Sequence, residues 1–321
     1  MALILITGAA GFIGSHLAER LLARGDQVVG LDNFDPFYPR EAKERNLLGP
    51  KAHAAFTFVE ADQRDAGAMA EVVERHRPQR IVHLAAKAGV RPSLEDPAAY
   101  VEANVQGTLN LLLACQRVPM EHFVFASSSS VYGNDVQAAC TEDAPTDSPA
   151  SPYGATKKAG EVLCFTYHQL LKIPVSCLRL FTVYGPRQRP DLAIHKFVRL
   201  IEAGEPVPFF GDGSSRRDYT FVSDTVDGIV AALDRADGYQ IYNLGRGNPA
   251  TLAQMLEAVE RGLGKKAVLD RQPEQPGDVR TTWADISKAK ARLGYEPKVE
   301  LEEGVKRFLE WWRETGRGPG K

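Results

Sequence analysis

The residues best placed to do chemistry lie in Ser151-Pro152-Tyr153-Gly154-Ala155-Thr156-Lys157. Proline suits the first position of a helix, so Tyr153 and Lys157 fall one turn apart on one helix face. An ammonium beside a phenol favours the phenolate, and a helix N-terminus pushes the same way. The spacing therefore predicts a Tyr153 pKa below its ordinary value of about 10, and a usable base. A tyrosine and a lysine at this spacing also occur on plain amphipathic helices, so the reading needs partners. One partner is Ala126-Ser127-Ser128-Ser129-Ser130-Val131-Tyr132-Gly133. After a strand, such hydroxyls stand at the strand's C-terminal end, where α/β sheets place ligands. There they can bond a substrate hydroxyl and the phenol together. A polar turn is the plainer alternative.

A third feature is Thr7-Gly8-Ala9-Ala10-Gly11-Phe12-Ile13-Gly14. It follows an apolar run and opens a helical pattern. A tight turn needs glycine, and a backbone approaching a pyrophosphate leaves no room for a side chain. The free N–H groups of the helix start then meet the phosphate charge. The spacing is Gly-x-x-Gly-x-x-Gly, and its position directly after the first strand supports a nucleotide site over a structural turn. Asp32 ends the next strand, placed to accept from adenosine ribose hydroxyls and to repel a 2′-phosphate. Asn33 follows with no Arg or Lys beside it, which favours NAD. Asp62, after the third strand, either reaches the adenine or belongs to a turn.

The elements that position these groups are legible as short apolar runs alternating with helical patterns. Strands are expected at 2–7, 27–32, 55–60, 80–85, 122–126 and 174–180. Helices are expected at 12–24, 66–76, 97–115 and 152–171. Apolar runs without strict alternation, separated by helices, predict a doubly wound parallel sheet of the Rossmann type, covered on both faces. The pattern loosens after Thr182, where Pro and Gly become frequent. Helices are expected there at 192–203, 222–235, 252–263, 285–293 and 301–315, with a strand at 240–244 returning to the main sheet. The expected division is a cofactor domain of 1–181 plus 222–244, and a smaller mixed α/β substrate domain of 182–221 with 245–321.

The chain has 321 residues, 44% of them hydrophobic, enough for a sizeable core. Lys plus Arg number 39 and Asp plus Glu 41, a net charge of −2 with no electrostatic push toward nucleic acid or an anionic membrane. Cys115, Cys140, Cys164 and Cys177 form no C-x-x-C pair, and the seven histidines show no metal-ligand spacing. No metal and no disulfide framework are expected. The apolar start is too short for a signal segment or membrane span, so a cytoplasmic protein is expected.

On these motifs the chain resembles the extended short-chain dehydrogenases/reductases. Within them it is most similar to the nucleotide-sugar 4-epimerases, above all those acting on UDP-glucuronate. The discriminating stretches are LDNFDPFYPR (31–40), HLAAKAGVRPSLEDP (83–97), FASSSSVYG (125–133), SPYGATKKAGE (151–161), LFTVYGPRQRPD (180–191), RRDYTFVSD (216–224) and QPGDVRTTWAD (275–285). The resemblance implies redox epimerisation with tightly held NAD. Tyr153 takes the proton of the sugar 4-hydroxyl, hydride leaves C4, and the flat 4-keto sugar turns over before hydride returns. It makes Tyr153, Lys157 and Ser128 catalytic, with Lys157 also on the nicotinamide ribose. Cofactor contacts are implied for Gly8, Gly11, Phe12, Ile13, Gly14, Asp32 and Asn33. Asp62, Gln63, Leu84, Ala85, Ala86, Asn104 and Phe181 are implied as well. Arg217 and Asp278 would lie near the diphosphate and uridine ribose, and Phe210 near the uracil.

Sister sugar 4,6-dehydratases carry an Asp-Glu pair where this chain has Ser129 and Ser130, and related decarboxylases carry Glu at the second position. Arg189 is the expected reader of a sugar carboxylate, because a guanidinium grips carboxylate bidentately. With Thr182, Ser129 and Ser130 it would hold a 4-keto uronate away from the geometry that loses CO2. The alternative has Arg187 and Arg189 meeting the diphosphate or a neighbouring loop. One departure is Gln275, where bacterial UDP-galactose 4-epimerases carry Arg. The competing readings are a UDP-glucose or N-acetylhexosamine 4-epimerase, a decarboxylase or dehydratase, and a non-catalytic NAD-binding regulator. Apolar stripes on the 97–115 and 152–171 helices, which pair across a dimer in this family, imply a homodimer.

Overall fold

The computed structural model describes residues 1–134, 138–274 and 279–315. Asp278 and Gln275 lie outside them. In chain order the strands are β1 Leu3–Thr7, β2 Gln27–Asp32, β3 Phe56–Glu60, β4 Arg80–His83, β5 His122–Ser128 and β6 Val175–Leu180. They continue as β7 Thr182–Tyr184, β8 Val207–Phe210, β9 Arg216–Arg217, β10 Tyr219–Phe221, β11 Tyr239–Leu244, β12 Ala250–Thr251 and β13 Leu269–Gln272.

Successive residues of the first strands point to opposite faces, and each face meets its own core. Ile4, Ile6, Val28, Val82 and Val124 pack into one cluster. Leu5, Val29, Leu31, Ile81, Phe123 and Phe125 pack into the other. Burial on both faces is why the runs read as continuously apolar. The result is one parallel sheet in the order β11-β6-β5-β4-β1-β2-β3. The expected return strand is real: β11 pairs with β6 from Tyr239 to Leu244. The chain reverses direction across the sheet between β1 and β4, and in such sheets the ligand crevice opens outside the strand ends at that point.

Helices Phe12–Ala23, Ala66–His76 and Pro152–Leu171 match their sequence patterns. The single helix expected at 97–115 is a correction. It is a turn of helix at Pro97–Tyr100, a π-helical stretch at Val101–Gln106, a helix at Gly107–Ala114 and a short tight turn to Arg117. Apolar periodicity over a stretch of six residues does not separate a π segment from an α-helix. Small paired strands, β10 with β7, β12 with β9 and β13 with β8, carry the segment after Thr182 above the strand ends. Sequence reading missed them because most are two to four residues long.

A buried polar network joins the layers. Arg179 on β6 forks onto Glu161 at 2.9 Å through both Nε and Nη2. Its Nη1 donates to Tyr132 Oη at 2.9 Å, and that hydroxyl donates to Asn243 Oδ1 on β11 at 2.7 Å. Glu161 also accepts from Ser127 Oγ at 2.6 Å, beside the serine run. Among the described residues no helix is long and apolar enough to cross a membrane. The four cysteines are buried and unpaired.

Candidate active site

A cleft of about 480 Å³ opens at the switch point. Two turns form its floor. Gly8 has φ +73°, and a Cβ there would sit 2.8 Å from the Ala85 nitrogen, so the turn after β1 touches the turn after β4. A Cβ on Gly14 would lie 2.1 Å from the Gly8 carbonyl oxygen. Both positions demand glycine for internal packing. Gly11 differs: its φ is −73°, and a Cβ there would meet only the Gly8 oxygen, at 3.1 Å. Glycine is needed less for packing there than at Gly8 or Gly14, and the bare backbone starting the Phe12–Ala23 helix suits a phosphate. Phe12 and Ile13 complete this wall.

Asp32 stands where a ribose would be read. Its oxygens accept from the Ala10 N–H at 3.1 Å and the Phe34 N–H at 2.9 Å. Burial pushes its carboxyl up, against the pull of Lys43 and those two N–H groups. Lys43 Nζ is 3.8 Å away, so a cation absent from the neighbouring sequence arrives by folding. Asp62 accepts from Asn33 Nδ2 at 2.9 Å, and the Arg64 fork holds its carboxyl near 2. Gln63 donates to the Ala103 carbonyl while its buried Oε1 lacks a partner among the described residues. Leu84, Ala85, Ala86 and Phe181 close the wall. These groups fit a dinucleotide: a bare turn for the diphosphate, a carboxylate for the ribose and acceptors for an adenine amino group.

Across the cleft are Ser128, Ser129, Ser130, Tyr153, Lys157, Thr182, Arg189 and Arg217. Ser151 caps the Pro152–Leu171 helix by accepting from Gly154 N, and Pro152 takes the first helical turn as expected. Ser128 Oγ donates to Ser130 Oγ at 3.1 Å, and its hydroxyl beside the Tyr153 phenol favours the phenolate. The expected Tyr153 shift is overturned. Burial raises the phenol, outweighing Ser128 and the Arg189 charge, which both lower it. Lys157 is not the cation acting on it. Its ammonium donates to the Ala126 carbonyl at 2.6 Å, over the Phe125 ring, and burial lowers its pKa to about 8. Spacing on a helix face placed the two side chains together but could not foresee a strand carbonyl competing for the ammonium.

Arg189 also departs from expectation. Its Nε and Nη2 hold Asp191 at 3.0 and 2.9 Å, and its guanidinium lies over Phe37 at 5.1 Å from the ring centroid. The bidentate edge expected for a sugar carboxylate is occupied by Asp191, leaving Nη1. Two predicted residues are not in the wall. Asn104 is buried behind it, bonded to Lys87 and Thr156. Phe210 lies under the Arg91 guanidinium, 4.6 Å from the ring centroid. Residues that the reading missed include Asp35, Phe37, Tyr38, Lys43 and Lys87. All but Lys43 fall in the stretches 31–40 and 83–97, which stand out in the sequence, but nothing local shows which charges turn inward. Among the described residues no group of three His, Cys, Asp or Glu side chains gathers as a metal site would require.

A family model described as GDP-mannose 4,6 dehydratase matches residues 5–308. The chain belongs to that family, among the extended short-chain dehydrogenases/reductases. Membership does not make it a dehydratase, because Ser129 and Ser130 replace the carboxylate pair that water loss uses. A UDP-glucuronate 4-epimerase of Thermodesulfobacterium geofontis is 42% identical over 98% of this chain and 97% of its own. The crystal structure of UDP-glucuronic acid 4-epimerase from Bacillus cereus, in complex with UDP-glucuronic acid and NAD, superposes with a TM-score of 0.93. It is 38% identical and covers 98% of this chain and 99% of its own. A Thermotoga maritima UDP-glucose 4-epimerase with UDP-glucose superposes at 0.89 with 34% identity, covering 98% and 99%.

Proposed function

We propose that this protein is an NAD-dependent UDP-sugar 4-epimerase that interconverts UDP-glucuronate and UDP-galacturonate. The observation that carries the reading is the far wall of the cleft: Tyr153 and Ser128 face a dinucleotide-shaped floor, with Ser129, Ser130, Thr182 and Arg189 around them. Hydroxyls stand where a dehydratase would keep carboxylates. NAD, when bound, would supply a hydride acceptor for C4. The chain's own part is proton handling and orientation. Tyr153 accepts the 4-hydroxyl proton at its phenolic oxygen and returns it, with Ser128 steadying both oxygens. Lys157, tied to Ala126, braces the helix against β5 and would hold the nicotinamide ribose. Gly8, Gly11, Gly14, Asp32, Asn33, Asp62 and Gln63 would hold the dinucleotide. Arg217, in the cleft wall, would take the diphosphate of the UDP. The chain divides accordingly into a cofactor part, 1–181 plus 222–244, and a substrate part, 182–221 with 245–321.

The 4-keto uronate is a β-keto acid that loses CO2 when its carboxylate bond stands perpendicular to the carbonyl plane. Ser129, Ser130, Thr182 and Arg189 Nη1 hold it away from that geometry. A neutral hexose is the second reading, favoured by Asp191, which already occupies the Arg189 fork. Incubation of the purified protein with UDP-glucuronate, UDP-glucose and UDP-N-acetylglucosamine, with products identified by NMR, decides between them. Conversion of UDP-glucuronate to UDP-galacturonate without CO2 release is expected. A pentose product overturns the reading in favour of decarboxylation, and turnover of neutral sugars alone favours the second reading.

The protein acts as a homodimer in this reading. Val101, Val162 and Phe165 are about half exposed on adjoining helical segments, and Leu94 beside them is similarly bare. An apolar face of this kind suits a second copy of the chain. Cytoplasmic residence accords with four unpaired cysteines.

A further inference from the structure

His83 ends β4 with 1% of its surface exposed, and no step above uses it. An imidazole is costly to bury, whereas an aliphatic side chain would pack there without that cost. Both ring nitrogens have partners: Nδ1 is 2.7 Å from Thr7 Oγ1 and Nε2 is 3.0 Å from Thr108 Oγ1. The surrounding bonds settle where each proton lies. Thr108 Oγ1 donates to the Asn104 carbonyl at 2.6 Å, so its only proton is spent and it accepts from His83. Nε2 therefore carries the imidazole proton, and Nδ1 accepts from the Thr7 hydroxyl. Thr7 Oγ1 in turn accepts from the Ala85 N–H at 3.2 Å. Burial pushes the imidazole pKa down to about 3, so the ring stays neutral in this tautomer at physiological pH.

Asn104, in the π-helical stretch, continues the series. Its side chain accepts from the Lys87 N–H at 2.7 Å and donates to the Lys87 carbonyl at 2.9 Å. It also donates to Thr156 Oγ1 at 3.0 Å, and Thr156 donates to the Tyr153 carbonyl at 2.9 Å. The bonds thus run without a gap from the glycine turn to the first turn of the catalytic helix.

We propose that His83 is a positioning residue, holding the turn that receives the dinucleotide and the helix that carries Tyr153 in one register through Thr108 and Asn104. The kinetic test rests on the epimerase reading, and the structural test does not. His83→Leu, Thr108→Val and the double variant are made in the full chain. With UDP-glucuronate, each single variant loses kcat about tenfold or more while KM stays within about twofold, since substrate contacts are untouched. The double variant is no slower than the slower single, because either cut breaks the same series. Amide exchange at Ala85 and Lys87, whose N–H groups bond Thr7 and Asn104, accelerates in Thr108→Val. A structural role alone would lower thermal stability and multiply the kcat losses in the double variant, and that result overturns the proposal. So does a folded Thr108→Val with unchanged kcat and unchanged exchange. Should His83→Leu fail to fold, Thr108→Val carries both readouts. Should the wild type leave UDP-glucuronate untouched, the epimerase reading fails and the exchange data still decide the role of His83.

Discussion

Tyr153 and Lys157 share a helix face, yet folding sends the ammonium to the Ala126 carbonyl and leaves Arg189 as the protein cation acting on the phenol. Replacing Arg189 with Ala therefore has two expected effects. The KM for UDP-glucuronate rises about 10- to 100-fold through loss of a charge-assisted contact, with little change for UDP-glucose. The acid limb of the kcat profile also moves to higher pH, because Arg189 lowers the phenol and its loss lets the pKa rise. Steady-state kinetics across pH checks both, and an unchanged affinity for UDP-glucuronate removes Arg189 from carboxylate recognition. Lys157 carries a stability signature. Its folded pKa of about 8 lies below the ordinary 10.5, so below pH 8 the folded chain holds a buried ammonium at a cost of about 3 kcal/mol. Between pH 8 and 10.5 the unfolded chain still binds the proton that the folded chain has released, and this part of stability rises with pH. Denaturant unfolding of wild type and Lys157→Met should show the variant's advantage shrinking by about 3 kcal/mol across that window. A constant difference would show that the ammonium is not desolvated.

Among the elements, the glycine turn separates packing from binding. A Cβ on Gly14 collides with the Gly8 carbonyl at 2.1 Å, so Gly14→Ala should cost about 1–3 kcal/mol of stability through overpacking. A Cβ on Gly11 meets that oxygen at 3.1 Å, a milder crowding, so Gly11→Ala should lose clearly less stability than Gly14→Ala while losing most NAD affinity. Calorimetric titration with NAD beside thermal melts checks the pair. Equal losses of stability in both variants would assign Gly11 to packing as well. The turn was legible because glycine, strand and helix start are local features. The π-helical stretch at Val101–Gln106 was not, and its contacts are lateral: Asn104 reaches Lys87 and Thr156, on two other segments.

Across the whole molecule, the sheet, the buried Arg179–Glu161 pair and the exposed apolar helices bear on assembly. Val162 is 53% and Phe165 47% exposed on the helix that also carries Tyr153. Sedimentation should show the wild type as a dimer and Val162→Glu with Phe165→Glu as a monomer. A monomeric wild type would leave that face without a second copy. Breaking the buried pair instead, with Glu161→Ala, would strand a guanidinium and cost about 3–5 kcal/mol. Its role as a clasp between β5, β6 and β11 could not be read in advance, since Ser127, Glu161, Arg179 and Asn243 are scattered in sequence.

The remaining cleft-wall residues were legible only through the family resemblance; the amino-acid order by itself determined the parallel sheet, the glycine turn and the Tyr153 helix. Each depends on periodicity or on spacing within one or two turns, and such short-range geometry survives without knowledge of the fold. Only the tertiary structure decided where the charges point. Lys157 found a carbonyl, Asp191 took the Arg189 fork, Lys43 came to Asp32, and His83 closed a series from Thr7 to Asn104. Those outcomes turn on competition among polar groups far apart in sequence. In a buried site each donor and acceptor must find a partner, and the nearest one in space wins.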